Sequence, residues 1–363
     1  MEREVWGGSR APYLHFAERG ACGNGRKIER DEMKFSLGIA MLAGFGLAAG
    51  LIIYQGAGQV LGMLLSLGWG FVPVVLVHVI QMLGSALGWR VLIPRPWPRP
   101  LLVLLKIRWI REGANALLPV AHIGGEIIGA RMLSFHGVRG DVSGASVVVD
   151  LTVEIVTQVL FTVVALALLL LAGHGSAELA DVVTGVAIGA IAIGGFVIAQ
   201  RVGLFMLIEH ALDRMMEKAQ WLSIAGIKGL HDAIQAIHRN PKVLAGSAAW
   251  HFLSWMLGGG EVWLILHFMG IDVGLREALI LESLGQAAHS AGFMVPGAIG
   301  IQEGGLMVFG ALLGVSPEAA LGLSLVKRLR ELVLGVPAIA LWQWVEGRRL
   351  IGNARTKAAA GEN

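Results

Sequence analysis

Two stretches of the chain place a glutamate seven residues after a proline that would break a helix. They contain Pro119 with Glu126 and Pro296 with Glu303, and glycines lie between the two residues in both cases. A carboxylate at a helix N-terminus is stabilised by free backbone N–H groups and by the helix dipole. The same carboxylate could instead hold a cationic or polyol group, or a proton. The sequence leaves both interpretations open.

Charged residues also interrupt two stretches that are otherwise apolar. Asp150 and Glu154 are four residues apart, which places them on one face of a helix. The second group comprises Lys327, Arg328, Arg330 and Glu331. A charge at mid-bilayer costs about 2.5–3.5 kcal/mol or more, so it persists when it is paired or faces water. We expect the two acids to approach Lys327 and Arg330, whereas Arg328 points elsewhere. The group could form a sealed ion-pair network or line a polar path.

Both features belong to a repeat with a constant offset of 177 residues. The matched residues are Pro119, Glu126, Gly137-Val138, Asp141 and Glu154 in the first copy and Pro296, Glu303, Gly314-Val315, Glu318 and Glu331 in the second. Asp150 falls on Lys327, which carries the opposite charge. Because charged residues are scarce in this chain, the matches indicate a duplication, with repeat one at about 71–160 and repeat two at about 248–337. Coincidence in a chain rich in glycine, leucine and valine is the alternative.

Composition indicates the class of protein. Hydrophobic residues make up 55% of the 363 residues and charged residues 15%, whereas soluble domains carry about 25% charged residues. Apolar runs of about 20 residues then indicate an integral membrane protein. The formal net charge of +3 gives no reason to expect a nucleic-acid partner. Cys22 is the only cysteine, which excludes a disulfide framework and a cysteine-based metal site.

The hydropathy pattern predicts an all-α polytopic membrane protein with about six transmembrane helices. The predicted spans are 35–55, 71–93, 143–172, 182–208, 243–269 and 318–346. Two further apolar stretches, 113–135 and 277–313, are broken by proline and glycine. These broken stretches contain the two proline–glutamate motifs.

The distribution of lysine and arginine predicts the orientation of the chain. Basic residues concentrate in 94–111, 131–139, 209–242 and both tails, which places these segments and both termini in the cytoplasm. This assignment requires each broken stretch to enter and leave on one side of the membrane, as a re-entrant hairpin. The two copies then face opposite ways, as an inverted-topology repeat with a polar cavity near the midplane.

The predicted domain organisation has three parts. Residues 1–34 form a disordered basic cytoplasmic tail, and 347–363 form a second cytoplasmic tail. Residues 35–346 form the membrane domain. Within it, 94–111 is an interfacial linker entering an amphipathic helix, and 209–242 is a cytoplasmic amphipathic linker.

The remaining polar residues give no indication of several common kinds of chemistry. Asn115 is placed to bond the broken backbone beside Pro119, and His289 lies near the second broken stretch. The histidines lack an H-E-x-x-H or comparable ligand spacing, so neither a metal nor another cofactor is predicted. The sequence contains no Gly-x4-Gly-Lys-Ser/Thr phosphate loop and no Gly-x-Ser-x-Gly elbow. Because every polar segment is too short for a soluble catalytic domain, we do not expect an enzyme.

Three segments resemble the integral membrane domain of lysyl-phosphatidylglycerol synthases, a flippase-like family. The segments are NALLPVAHIGGEIIGARMLSFHGV at 115–138, VPGAIGIQEGG at 295–305 and LGVSPEAALGLSLVKRLREL at 313–332. The resemblance covers about 35–346 and extends to the subfamily that is encoded with hopanoid-biosynthesis enzymes. Ala298 replaces the second glycine of the usual Pro-Gly-Gly-Ile-Gly motif, which is a mild departure.

This resemblance implies a bacterial inner-membrane protein that moves polar lipids between leaflets. By motif position it assigns pathway roles to Pro296, Gly297, Gly300, Glu303, Gly304, Lys327, Arg330 and Glu331. In the fused members of the family, a separate soluble domain transfers the amino acid. Because we expect no such domain in this chain, the resemblance does not imply synthase activity.

The leading hypothesis is translocation of a polar lipid, a hopanoid or an anionic phospholipid, through the midplane cavity. The predicted path comprises Asn115, Pro119, Glu126, Asp150, Glu154, His289, Pro296, Gly297, Gly300, Glu303, Gly304, Lys327, Arg330 and Glu331. A proton passing through Asp150, Glu154 or Glu303 could supply the energy, or exchange could be passive.

Two alternatives come from other functional classes. An intramembrane enzyme could modify a lipid headgroup, with Glu126 and His122, or Glu303 and His289, as an acid/base pair. A non-catalytic scaffold for hopanoid-biosynthesis enzymes is the other alternative. It would tolerate loss of the charges at Lys327 or Glu303 but not changes to the surface of 209–242.

Overall fold

All the regular structure described for the protein is helical. The computed structural model describes residues 67–94, 97–118, 124–171, 229–291 and 301–360. The helices in these ranges are α1 (Phe71–Leu92), α2 (Leu101–Leu117), α3 (Gly124–Ser134), α4 (Gly140–Leu171), α5 (Leu230–His238), α6 (Pro241–Phe268), α7 (Leu275–Ala291), α8 (Ile301–Leu312) and α9 (Pro317–Ala360). A 3-10 turn at Gly68–Gly70 precedes α1. The all-α prediction is therefore confirmed for the described residues.

Four long helices begin close to predicted spans. α1, α4 and α6 lie within a few residues of the spans predicted at 71–93, 143–172 and 243–269. α9 begins as predicted but continues to Ala360, past the predicted end at residue 346. Alanine, arginine and lysine after that point favour continued helix. The spans predicted at 35–55 and 182–208 lie outside the described residues.

Within the described ranges, two helical segments have the length and composition needed to cross a bilayer. These segments are Gly68–Leu92 and Gly140–Leu169. Large apolar side chains on their outer faces are exposed, among them Leu76, Ile80, Leu160 and Val163. Exposed leucine, isoleucine and valine in such a row suit contact with lipid. The total number of spans remains a prediction.

Each of the two broken stretches consists of two helices that pack together. In the first, α2 ends at Leu117 and packs on α3, which begins at Gly124. In the second, α7 and α8 pack together on either side of residues 292–300. The break in each stretch is therefore as expected, whereas re-entry from one side of a membrane remains a prediction.

The sequence repeat is reproduced in the helix boundaries. α3 and α8 begin at Gly124 and Ile301, and α4 and α9 begin at Gly140 and Pro317, so both pairs keep the 177-residue offset. Packing follows the same pattern, because α2 lies against α9 and the equivalent α7 lies against α4. The helix pair of each half thus packs on the long helix of the other half.

The equivalent helices α1 and α6 run antiparallel along each other. Near the start of α1, Gly70 meets Phe268 at the end of α6, and Gly84 lies against Ser254 farther along. Small residues allow this close approach, since a Cβ atom at Gly84 would lie 2.5 Å from the Ser254 hydroxyl oxygen. Opposite directions of equivalent helices are what an inverted repeat requires.

Apolar side chains form two main clusters, each centred on one half of the molecule. Each also takes in a side chain of the other half, Ala338 of α9 in the first and Val74 of α1 in the second. The first core joins α1, α2, α3 and α4 through side chains that include Trp89, Leu104, Leu133 and Val149. The second joins α6, α7, α8 and α9 through side chains that include Val262, Leu281, Leu306 and Leu323. A smaller cluster of α4 and α7 side chains, including Leu166, Leu169 and Ile280, connects the halves.

Candidate functional site

A cavity of about 1020 Å³, here called the central cavity, is walled by helices of both halves. Val159, Trp255 and Leu334 supply part of its apolar wall. The charged residues that line it are Arg108, Arg111, Glu112, Glu126, Glu154, Glu282, Lys327, Arg328, Arg330 and Glu331. Such a mixture of apolar wall and ionised groups can accommodate a molecule that is itself part apolar and part polar.

In the first half, Arg108 and Arg111 of α2 organise the acids around them. Arg108 donates to Glu154 at 2.6 Å, to Glu112 at 3.0 Å and to Asp150 at 3.4 Å. Arg111 donates to Asp150 at 2.9 Å, and its guanidinium carbon lies 4.5 Å from the centre of the Trp89 ring. These contacts offset part of the cost of removing two guanidinium groups from water.

The start of α3 is fixed by a second set of bonds to α2. Arg111 bonds to Glu126, and the Asn115 side-chain amide donates to Glu126 at 3.2 Å. The Asn115 carbonyl oxygen accepts from the backbone N–H of Gly125 at 2.9 Å. A Cβ atom at Gly125 would lie 2.4 Å from the Arg111 carbonyl oxygen, so this position needs glycine. Asn115 thus bonds to the backbone at the start of α3, whereas the predicted bond beside Pro119 lies outside the described residues.

In the second half, the cations lie on α9, and their acids lie on α6, α7 and α8 and, for Glu331, on α9 itself. Lys327 donates to Glu282 of α7 at 2.5 Å, and Arg330 bonds to Glu261 of α6. Glu303 of α8 accepts from Arg328 at 3.3 Å and from the Ser324 hydroxyl at 3.2 Å. α2 therefore contributes cations where the equivalent α7 contributes Glu282, whereas Glu126 and Glu154 keep the sign of their equivalents Glu303 and Glu331.

The predicted pairing of Asp150 and Glu154 with Lys327 and Arg330 is wrong. Asp150 and Glu154 bond instead to the guanidinium groups of α2, and the imidazole of His251 contacts Asp150 at 2.9 Å. The prediction missed these partners because it placed the basic residues of 94–111 in an interfacial linker. α2 begins at Leu101 and buries both arginines. Arg328 also lines the cavity rather than pointing elsewhere.

The structure brings together half of the predicted path residues. The predicted residues that line the central cavity are Asn115, Glu126, Glu154, His289, Lys327, Arg330 and Glu331. Asp150 is fully buried behind the arginines, and Glu303 is buried beside Arg328. Gly304 is exposed, and a Cβ atom there would meet nothing within 4 Å, so it does not wall the cavity. Pro119, Pro296, Gly297 and Gly300, with His122 of the enzyme alternative, lie outside the described residues.

Several cavity residues were missed by the sequence interpretation. They are His78, Arg108, Arg111, Glu112 and Glu282. The signal for three of them was available, because Arg108, Arg111 and Glu112 recur at helical spacing in the otherwise apolar stretch 101–117. His78 and Glu282 are titratable residues in largely apolar stretches, which at membrane depth is itself an indication of a polar site.

The most exposed charged side chains of the cavity lining are acidic. The side chains of Glu112, Glu154 and Glu331 are 31%, 21% and 23% exposed. The cations of both halves are far less exposed, from 2% for Arg111 to 12% for Arg328. Carboxylates accept hydrogen bonds from hydroxyl and ammonium groups. Within the described residues, no cluster of three or more His, Cys, Asp or Glu side chains could hold a metal ion.

Comparison with known proteins gives the family. The sequence profile described as the lysylphosphatidylglycerol synthase TM region matches residues 41–338. No curated protein and no solved structure matches the chain. The profile match contains every described residue that lines the central cavity. It also spans most of the 363 residues, so the chain belongs to the lysylphosphatidylglycerol synthase transmembrane family.

Proposed function

We propose that the protein moves a polar lipid between the leaflets of a membrane. The headgroup passes through the central cavity while the apolar part of the lipid stays in the bilayer. The observation that carries this proposal is a polar cavity walled by both halves of a duplicated membrane domain. Membership of the family supports a function connected with membrane lipids. We place the protein in the bacterial inner membrane, with both termini in the cytoplasm.

The exposed charges favour a cargo whose headgroup carries hydroxyl or amine groups. Glu112, Glu154 and Glu331 face the cavity, whereas the neighbouring cations are largely covered by their acid partners. A bare phosphate would lie close to these exposed carboxylates, and like charges at close range in a medium of low dielectric constant repel strongly. Of the two candidate classes, a hopanoid with a polyol side chain therefore fits better than an anionic phospholipid.

Leaflet exchange in liposomes tests this function. The purified full chain is reconstituted with a trace of fluorescent or spin-labelled lipid, and the fraction accessible to a reagent outside the vesicle is followed over time. We expect faster exchange than in protein-free liposomes, and faster exchange for hydroxyl- or amine-bearing lipids than for anionic ones. Exchange equal to that of protein-free liposomes for every lipid class contradicts the proposal.

A matched pair of variants on α9 connects exchange to the cavity. Glu331 lines the cavity, whereas Glu318 in the first turn of α9 is exposed. We expect Glu331→Gln to slow exchange by about tenfold or more, equivalent to about 1.4 kcal/mol in the barrier. Glu318→Gln should exchange lipid at the rate of the unmodified protein. Equal exchange rates for the two variants would mean that the acidic side chain of Glu331 does not contribute to lipid exchange.

A further inference from the structure

His78 of α1 lies between two carboxylates that belong to different helices. Its Nδ1 atom is 3.1 Å from Glu261 of α6, and its Nε2 atom is 3.5 Å from Glu112 of α2. The His78 side chain is 17% exposed and lines the central cavity. His78 therefore connects α2 of the first half to the antiparallel helices α1 and α6. Since α6 belongs to the second half, this contact joins the two halves.

The chemistry of imidazole determines how many protons this arrangement holds. A neutral imidazole has one N–H group, and its other nitrogen presents a lone pair. With both nitrogens facing carboxylate oxygens, a neutral ring would set that lone pair against a negative oxygen. The imidazolium form donates to both carboxylates and removes this repulsion.

The surrounding charges favour the proton on the ring rather than on a carboxylate. Glu261 also bonds to Arg330 of α9, and Glu112 also bonds to Arg108. Each carboxylate thus has a cation that stabilises its ionised form. On α4, which also packs on α1, Asp150 and Glu154 are both engaged by Arg108.

We infer that His78 is a proton-binding site that couples proton uptake and release to the movement of α2 relative to α1 and α6. A ring that loses its proton keeps one N–H group and bonds to one carboxylate only. Glu261 is 2% exposed and held by Arg330, whereas Glu112 is 31% exposed. The contact to Glu112 is therefore the one that opens. Its opening loosens one wall of the central cavity, so a proton gradient can drive the cargo in one direction.

Nitrogen NMR of the ring tests the proton site without any transport. The full chain is labelled with [15N]histidine in lipid nanodiscs, and the His78 signals among the 11 histidines are assigned by their loss in His78→Gln. At pH 7 we expect both ring nitrogens to carry protons in the unmodified protein, and one of them to be bare in Glu112→Gln. His267→Gln, on the exposed part of α6, should leave the His78 signals unchanged. A neutral His78 ring in the unmodified protein overturns the inference.

A second measurement tests the coupling, and this part alone rests on the proposed function. In liposomes we expect an imposed pH gradient to change the net leaflet distribution of the cargo at least about threefold. In His78→Gln we expect the leaflet distribution under a gradient to equal the distribution without one, whatever rate of exchange the variant keeps. A response that persists in His78→Gln overturns the coupling. Absence of exchange in the unmodified protein contradicts the proposed function instead, and the NMR result still decides whether His78 holds the proton.

Discussion

At the scale of single residues, charge is stabilised by partners that come from other helices. Lys327 depends on Glu282 of α7, and Arg330 depends on Glu261 of α6. Breaking a buried pair leaves an uncompensated charge, whereas replacing both members can be nearly neutral. The buried pairs therefore hold the helices in register around the cavity, and the exposed acids are available to the cargo.

Substitutions at Lys327 and Glu282 test whether a buried ion pair stabilises the fold. We expect Lys327→Met and Glu282→Gln each to lower the free energy of unfolding by about 3–5 kcal/mol, because the remaining partner stays buried and unpaired. The double variant should be more stable than the sum of the two losses predicts. Arg131→Met, which removes the exposed contact to Glu346, should cost about 1 kcal/mol or less. The free energy of unfolding of all four variants is measured in mixed detergent micelles. Strictly additive losses for Lys327→Met and Glu282→Gln would contradict a stabilising interaction between the two side chains.

At the scale of helices, the close approach of α1 and α6 is the central packing feature. Glycines on α1 leave room for side chains of α6, as at Gly84 beside Ser254 and at Gly88 beside His251. His251 in turn contacts Asp150 of α4 at 2.9 Å. A change in the spacing of α1 and α6 would therefore disturb the ion-pair network of the first half.

Two glycine substitutions test this helix contact. A Cβ atom at Gly84 would lie 2.5 Å from the Ser254 hydroxyl oxygen, whereas one at Gly260 would have nothing within 4 Å. We expect Gly84→Leu to lower the thermal unfolding midpoint by several degrees or to prevent folding, because overpacking typically costs about 1–3 kcal/mol. Gly260→Leu, in the interior of α6, should leave the midpoint nearly unchanged. Equal midpoints would mean that the two helices do not pack as closely as described.

The positions of many helices can be predicted from the local sequence, whereas the ion pairs between helices cannot. Hydropathy located α1, α4 and α6, and the proline–glutamate spacing located the breaks before α3 and α8. The partners of Asp150 and Lys327 could not be inferred in the same way, because ion pairing depends on which helices are neighbours. Four prolines before α2 also made 94–111 resemble a surface linker, although the helix that follows carries two buried arginines.

At the scale of the whole molecule, the equivalent helices α1 and α6 run in opposite directions along each other, as an inverted repeat would require. The loop between α3 and α4 and the loop between α8 and α9 occupy equivalent places, and each contains a glycine with positive φ, 92° at Gly137 and 76° at Gly314. An inverted repeat places these equivalent loops on opposite sides of the membrane. We expect such an arrangement to let lipid headgroups reach the central cavity from either leaflet.

Labelling of single cysteines tests this topology. Arg139 and Ser316 are exposed, hold equivalent positions and allow Arg139→Cys and Ser316→Cys to be made in a Cys22→Ser background. A membrane-impermeant maleimide added outside intact cells should label the cysteine at 316 and spare the one at 139. Disrupted cells should label both. Labelling of both cysteines from one side would exclude the inverted arrangement.

The most direct test of the account is to obstruct the central cavity chemically while leaving the adjacent outer surface of the same helix as a control. Val159 lines the cavity and Leu160, the next residue of α4, is 52% exposed on the outer face. Val159→Cys and Leu160→Cys, each in the Cys22→Ser background, are reacted with a bulky thiol reagent and assayed for leaflet exchange in liposomes. We predict that the reagent reduces exchange at least about tenfold for the cysteine at 159 and leaves exchange unchanged for the cysteine at 160. Undiminished exchange with the cavity cysteine fully modified would contradict passage of the lipid headgroup through the central cavity.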